Sequence, residues 1–500
     1  MSLPVKIESV DNDNYKKSFK TTSLFGGVQL YNIIISVVRS KFVALILGPL
    51  GMGYTGLYSS TLDFIASITE FGLGTSAVRD ISIANAENNK KRISLVISVF
   101  RRLVWITGLV GLLVCVVLSP ILSQLTFGSK DFAIGFIVLS CTLLFRQLTS
   151  GQFALLQGMR KYNYLAKANL AGSTLGLLVT IPLYYIWRIK AIVPVLVITA
   201  IVSFILSCYY SRKVGSYHEK VKFQDIKKEG KCMLTMGFFL SLSSILSFAV
   251  SYIVRIYVNY KGNVTDVGYF SAGFSIVNAY VGLVFIAMGQ DYFPKLSGAN
   301  RDEEDIFNHL VNDQIHISLV LLAPIIAAFL IFIRFVIVIL YSKQFLPIEA
   351  MLYFSIFAII FKAPSWALGF IFLAKGDSKI FFVNETVSLV YNLFFNIICY
   401  NVWGLTGLGI SYLFLYFVYL CQNIIVCHYK YNFRFESSVS KMFFKQFLVL
   451  SMCFCLVVYA PSSIRYIVGS ALVLVSSLYS YRLLNEKMNL TAYIRNKIKF

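Results

Sequence analysis

Charge is scarce in this chain, and acidic charge is scarcest. Only 14% of the 500 residues are Asp, Glu, Lys or Arg, and 23 acidic side chains are outnumbered by 45 basic ones, a net charge of +22. A soluble protein carries roughly a quarter charged residues, so a soluble globular fold is excluded. The short alternating segments of a transmembrane β-barrel are missing too. So is the phosphate-binding pattern G-x-x-x-x-G-K-[ST], which removes direct ATP drive by this chain. The four His are scattered, and no His, Asp or Glu cluster has hydrolase or metal-ligand spacing. No enzyme activity, metal or cofactor is therefore expected. The nine cysteines lie mostly inside apolar runs, where they read as packing rather than disulfides or ligands. The first 22 residues lack an apolar core ending in a small-residue cleavage site, so they are expected to be a cytosolic arm and not a signal peptide.

What is present is apolar length. Hydrophobic residues make up 57% of the chain, in runs of about 20 that suffice to cross a bilayer core. An all-α polytopic membrane protein of about 14 spans is expected, near 23–48, 54–78, 102–124, 132–157, 164–187, 191–210, 233–259, 267–291, 315–341, 349–373, 379–400, 405–427, 443–460 and 465–482. With the N-terminus in the cytosol, 33 of the 45 Lys and Arg fall in cytosolic segments, 6 in outer loops and 6 inside spans. That bias predicts both termini inside. It also accounts for the positive charge through anionic lipid, without nucleic acid as a partner.

The most basic loop, 211–232, divides the chain. Gly26 leads to GLYSS (56–60) much as Gly237 leads to GYFSA (268–272), with spacings of 30 and 31 residues. This predicts a parallel repeat of two six-helix lobes. The expected organisation is a cytosolic arm (1–22), an N-lobe (23–210), a basic cytosolic linker (211–232), a C-lobe (233–430), and an added span pair with a cytosolic tail (431–500).

Ionisable residues inside spans are costly in lipid and face a bundle interior or a wet cavity. Arg39, Arg146, Arg255 and Lys362, two from each lobe, are the expected substrate contacts. A cavity they line would suit an anionic cargo, because guanidinium forms bidentate bonds with phosphate or carboxylate. Asp63, Glu70 and Glu385 are expected to be either structural partners of basic residues or sites that couple transport to an ion. Pro364 is expected to kink the helix beside Lys362.

Several strings, among them ALILGPLGMGYTGLYSS (44–60), FGLGTSAVRDISIANA (71–86), LLQGMRKYNYLAKANLAGSTLGLL (155–178), LAKGDSKIFFVNE (373–385) and GLTGLGISYL (404–413), resemble the bacterial oligosaccharide flippases of the Wzx type. These belong to the multidrug/oligosaccharidyl-lipid/polysaccharide (MOP) exporter superfamily. The resemblance covers spans 1 to 12. It implies two six-helix lobes in a V shape and flipping of an undecaprenyl-diphosphate-linked repeat unit across the inner membrane, for O-antigen or capsule. It implies a lipid-linked oligosaccharide and membrane lipids as partners, together with other surface polysaccharide assembly proteins. Related lipid II flippases also place a functional arginine on the first helix, where Arg39 lies. The rival readings are a lipid II flippase, a cation-coupled multidrug exporter of the same superfamily, and a membrane-embedded glycosyltransferase. The excess of cations in spans weighs against the exporter, and the short outer loops against the transferase.

Overall fold

The computed structural model describes residues 8–87, 90–215, 223–278, 282–298 and 304–488, and these residues are helical with no strand among them. Hydrocarbon offers backbone groups no hydrogen-bonding partner, so each apolar segment satisfies its own N–H and C=O groups as helix. The chain divides into two compact units, Met1–Tyr260 and Lys261–Phe500.

Unit 1 contains α1 (Glu8–Thr69), α2 (Leu73–Ala86), α3 (Lys90–Phe127), α4 (Ala133–Gly158), α5 (Tyr162–Trp187), α6 (Ile192–Arg212) and α7 (Phe223–Lys261). One buried apolar cluster joins α2, α3 and α4 around Leu73, Ile81, Ile97, Phe100 and Leu155, and it includes Met233 of α7. The helix α7, read from sequence as the first of the C-lobe, thus packs with unit 1. Lipid tails are as apolar as these side chains, so close fit holds the helices together here. Outward-facing residues such as Val117 and Ile134, each 73% exposed, suit a lipid surface.

Unit 2 contains α8 (Val264–Ile276), α9 (Gly282–Gly298), α10 (Glu304–Leu340), α11 (Glu349–Phe357), α12 (Ile359–Ala374), α13 (Ser378–Tyr431), α14 (Ser437–Tyr459) and α15 (Ser462–Met488). The pair α14 and α15 packs on α10. Between the two helices Gln446 accepts from the Ser476 hydroxyl and donates to that of Ser480, each at 3.1 Å.

Among the described residues, nine helical segments are long and apolar enough to cross a membrane, or ten if the bent pair of α11 and α12 is one span. The expected count of 14 is not returned by that measure, for a visible reason. Three segments, Gly26–Thr69, Tyr162–Arg212 and Ser378–Tyr431, run for 44, 51 and 54 residues. At about 1.5 Å per residue each is roughly twice the bilayer core. Each is also broken, at Gly48 (φ 66°, ψ −169°), Arg188 (φ 47°, ψ −130°) and Gly404 (φ 56°, ψ −134°). Glycine takes a positive φ freely, and Pro49 after Gly48 cannot continue the first ladder.

The bend between α11 and α12 is 44° and falls at Ala358. Pro364 has no N–H for the Ile360 carbonyl, so the disturbed turn lies next to the bend rather than at the proline itself.

Backbone geometry repeats between the units. Arg160 and Gly376 both adopt positive φ after α4 and α12, and Arg188 and Gly404 share the break described above. Both pairs are 216 residues apart. At the same spacing stand Phe145 and Phe361, Tyr184 and Tyr400, and Trp187 and Trp403. Arg146 and Lys362 fall on the same register, as do Asn169 and Glu385.

Candidate functional site

Unit 1 forms a partly open cavity of about 560 Å³ among α1, α4, α5 and α6. This lies within the usual range of small-molecule pockets, about 300–1,000 Å³. Its charged lining is Arg39, Glu70 and Arg146. Hydroxyl and amide groups supply much of the rest, including Ser59, Thr142, Thr149, Asn169, Thr199 and Ser203. Such a wall offers both donors and acceptors, as a polyhydroxylated ligand requires.

The cavity's helices are tied by side-chain bonds that the sequence spells at helical spacing. Asn32 on α1 donates to Asn169 on α5 at 2.8 Å and accepts from Ser173 at 2.8 Å. At the neighbouring positions, Tyr31 and Thr174 share a 2.7 Å bond. These three contacts hold the first half of α1 against α5, with Arg39 two turns farther along.

Arg39 is half-buried against Gly176, where an added Cβ would lie 3.2 Å from Nη2. Its Nε is buried and finds no hydrogen-bond partner among the described residues. Arg146 differs: its Nη2 donates to Asp63 Oδ1 at 2.8 Å. Asp63 lies near the end of α1, and Glu70 follows its last residue, Thr69. The charges of Arg39, Arg146, Asp63 and Glu70 balance. The cavity wall of unit 1 combines one internally matched cation with an arginine, Arg39, that has no ion pair among the described residues.

The other expected contacts lie elsewhere. Arg255 is on α7, outside the cavity lining, and its Nη1 donates to the Ser251 carbonyl at 3.0 Å and to the Ser251 hydroxyl. Lys362, on α12 in unit 2, donates to the Tyr412 hydroxyl at 3.0 Å. Glu385, on α13, was expected as a structural partner of a basic residue or as a coupling site; its Oε1 accepts from Tyr419. Next to it runs an amide network: Gln422 donates to Asn384 Oδ1 at 2.7 Å, Asn384 to Asn423 at 2.9 Å, and Asn423 to the Ser365 carbonyl at 3.1 Å.

Tyr412, Tyr416 and Tyr419 link Lys362 to Glu385 as a ladder, with ring centroids 4.7 and 6.5 Å apart. None of the 31 tyrosines was among the residues expected at a site. The i, i+4, i+7 spacing on α13 was the available signal.

This fold is that of known lipid and drug transporters. Over 94% of this chain and 99% of the other, it superposes with a TM-score of 0.70 on the lipid II flippase MurJ in an inward closed conformation, at 12% identity. Over 83% of this chain and 99% of the other, the TM-score is 0.63, at 15% identity, to an inward-facing multidrug resistance MATE family transporter of the MOP superfamily. In sequence, the chain is 24% identical over 394 residues to a protein of Shigella flexneri named "Putative O-antigen transporter", covering 76% of this chain and 90% of that one.

Residues 18–300 match the family described as "Polysaccharide biosynthesis protein". The chain belongs to that family. The resemblance of its strings to oligosaccharide flippases of the MOP superfamily is thereby supported by relatives in both sequence and fold.

Proposed function

We propose that this chain flips an undecaprenyl-diphosphate-linked oligosaccharide from the cytosolic to the outer leaflet of a bacterial inner membrane, by alternating access. Both termini lie in the cytosol, as the 33 to 6 distribution of basic residues favours, and each of the three broken segments makes two passes. One observation carries the assignment. Arg39 stands without an ion partner among the described residues, in a cavity walled by hydroxyl and amide groups. Guanidinium supplies the fork that a diphosphate or acidic sugar needs, and the polar wall supplies partners for sugar hydroxyls. The relative named "Putative O-antigen transporter" supports such a cargo.

The experiment is genetic and chemical. A strain deleted for this chain accumulates lipid-linked repeat units in the cytosolic leaflet. Wild type restores surface polysaccharide and Arg39→Ala, folded and membrane-inserted, does not. Full restoration by both Arg39→Ala and Arg39→Glu overturns the assignment of Arg39. The likeness to MurJ favours lipid II as the second cargo. Growth of a strain depleted of its own lipid II flippase, rescued by this chain, would select that reading.

A further inference from the structure

The ammonium of Lys362 sits in a box of aromatic rings. Its Nζ lies 5.0 Å from the ring centroid of Tyr416, 5.6 Å from that of Phe285 and 5.7 Å from that of Tyr412. All three centroids are within the roughly 6 Å over which a ring draws a cation, and at Tyr412 the ammonium meets the hydroxyl edge of the ring, to which it donates at 3.0 Å. Phe285 and Tyr412 are themselves only 5% and 7% exposed, and a second layer fixes them. Phe285 packs on Trp366 at 5.3 Å, and Tyr412 meets Phe274 edge-on at 5.1 Å. Among the described residues no carboxylate pairs with Lys362, and the carboxylate of Glu385 is engaged by Tyr419.

The counterpart position in unit 1 shows that this is a choice of chemistry. Arg146 occupies the same register and is neutralised by an acid at 2.8 Å. Rings replace the acid in unit 2. Several aromatic faces converging on one positive charge form the arrangement that recognises quaternary ammonium ligands. Here the ligand is part of the chain.

We propose that Phe285, Tyr412 and Tyr416 form an organic-ammonium site which Lys362 fills from within, so that Lys362 is the residue that keeps free organic cations out of unit 2. The site is independent of the cargo assigned above, since none of its residues lines the cavity of unit 1. Removing the side chain vacates a pocket of one ammonium and its methylene stem, which suits a tetramethylammonium ion in size and charge.

The test is thermal unfolding of the full-length chain in detergent, with tetramethylammonium chloride compared against sodium chloride at equal concentration. A ligand that binds only the folded state raises the melting temperature. Lys362→Ala should melt about 2 °C or more higher in tetramethylammonium, whereas wild type and Lys362→Arg should not distinguish the salts. Adding Tyr416→Ala to Lys362→Ala should abolish the difference. If Lys362→Ala does not yield folded protein, Lys362→Ser carries the same expectation, and recovery of folded protein only in tetramethylammonium supports the site. No salt-specific gain in either variant overturns the proposal, as does an equal gain in wild type.

Discussion

Arg146 Nη2 lies 2.8 Å from Asp63 Oδ1, joining α4 to α1 at the cavity of unit 1. The pair is part exposed, at 43% and 33% of its side-chain surface. Its effect on stability is therefore small, while its effect on the charge of the cavity is large.

Asp63→Asn leaves Arg146 uncompensated and turns a balanced wall into a cationic one. We expect a melting temperature within a degree or two of wild type, since exposed pairs contribute about 0–1 kcal/mol. Surface polysaccharide in a complementation assay should fall, and Asp63→Asn with Arg146→Gln should recover it. If the single variant transports normally, charge balance at this wall does not govern flipping.

Gly176 gives Arg39 its place. A Cβ there would approach Nη2 to 3.2 Å, so Gly176→Leu should push the guanidinium from its position. Gly172, one turn away, has only Ser203 near its would-be Cβ, at 3.5 Å or more, and Gly172→Ala should be neutral. Transport and melting temperature, measured together, should separate the two: loss of transport in a folded Gly176→Leu, and neither change in Gly172→Ala.

Gly409 on α13 meets the backbone of α11 directly. Its added Cβ would lie 2.1 Å from the Met351 carbonyl oxygen, and a backbone atom cannot rotate aside as a side chain can. Gly409→Ala should destabilise unit 2 by about 1–3 kcal/mol or more, the usual cost of overpacking. Gly369→Ala, whose nearest neighbour is the Tyr419 hydroxyl at 3.8 Å, serves as the silent control in the same melting experiment.

Arg465 fastens α15 to α11. Its Nη2 donates to Glu349 Oε1 at 3.1 Å, and its guanidinium stacks 5.3 Å from the centre of the Tyr353 ring. With the two side chains only 10% and 18% exposed, Arg465→Ala leaves the part-buried Glu349 carboxylate without its cation, with the Tyr353 hydroxyl as a remaining donor. A loss of about 3–5 kcal/mol is expected. The double variant Arg465→Met with Glu349→Leu should be much closer to wild type in chemical unfolding, because nothing charged is then left behind.

Much of the fold was legible in the sequence because lipid permits so few solutions. Polar interruptions at 188–190 and near 404 in the apolar runs mark the breaks at Arg188 and Gly404, and Gly48-Pro49 is a break by its chemistry alone. Arg39, Glu70 and Arg146 were legible as intramembrane charges, and the structure gathers them in one cavity. Which charge meets which partner was not legible. Asp63 and Arg146 are 83 residues apart, and only the packing of α1 on α4 brings them together. Glu385 was expected as a structural partner of a base or a coupling site, and its donor Tyr419 lies 34 residues on, past the break of α13 at Gly404. The ring box around Lys362 draws Phe285 from α9 and two tyrosines from α13, a convergence that no spacing along one segment encodes.

The constant interval of 216 residues has a bearing on ancestry. Breaks and aromatic landmarks that recur at this interval are what a half-length unit copied once and joined to itself would leave. On that reading both halves carry a base at the level of Arg146 and Lys362. One is met by an acid and the other by phenol and aromatic rings. A hybrid given both solutions in one half, or neither, would show how far the two lineages have come to depend on their difference.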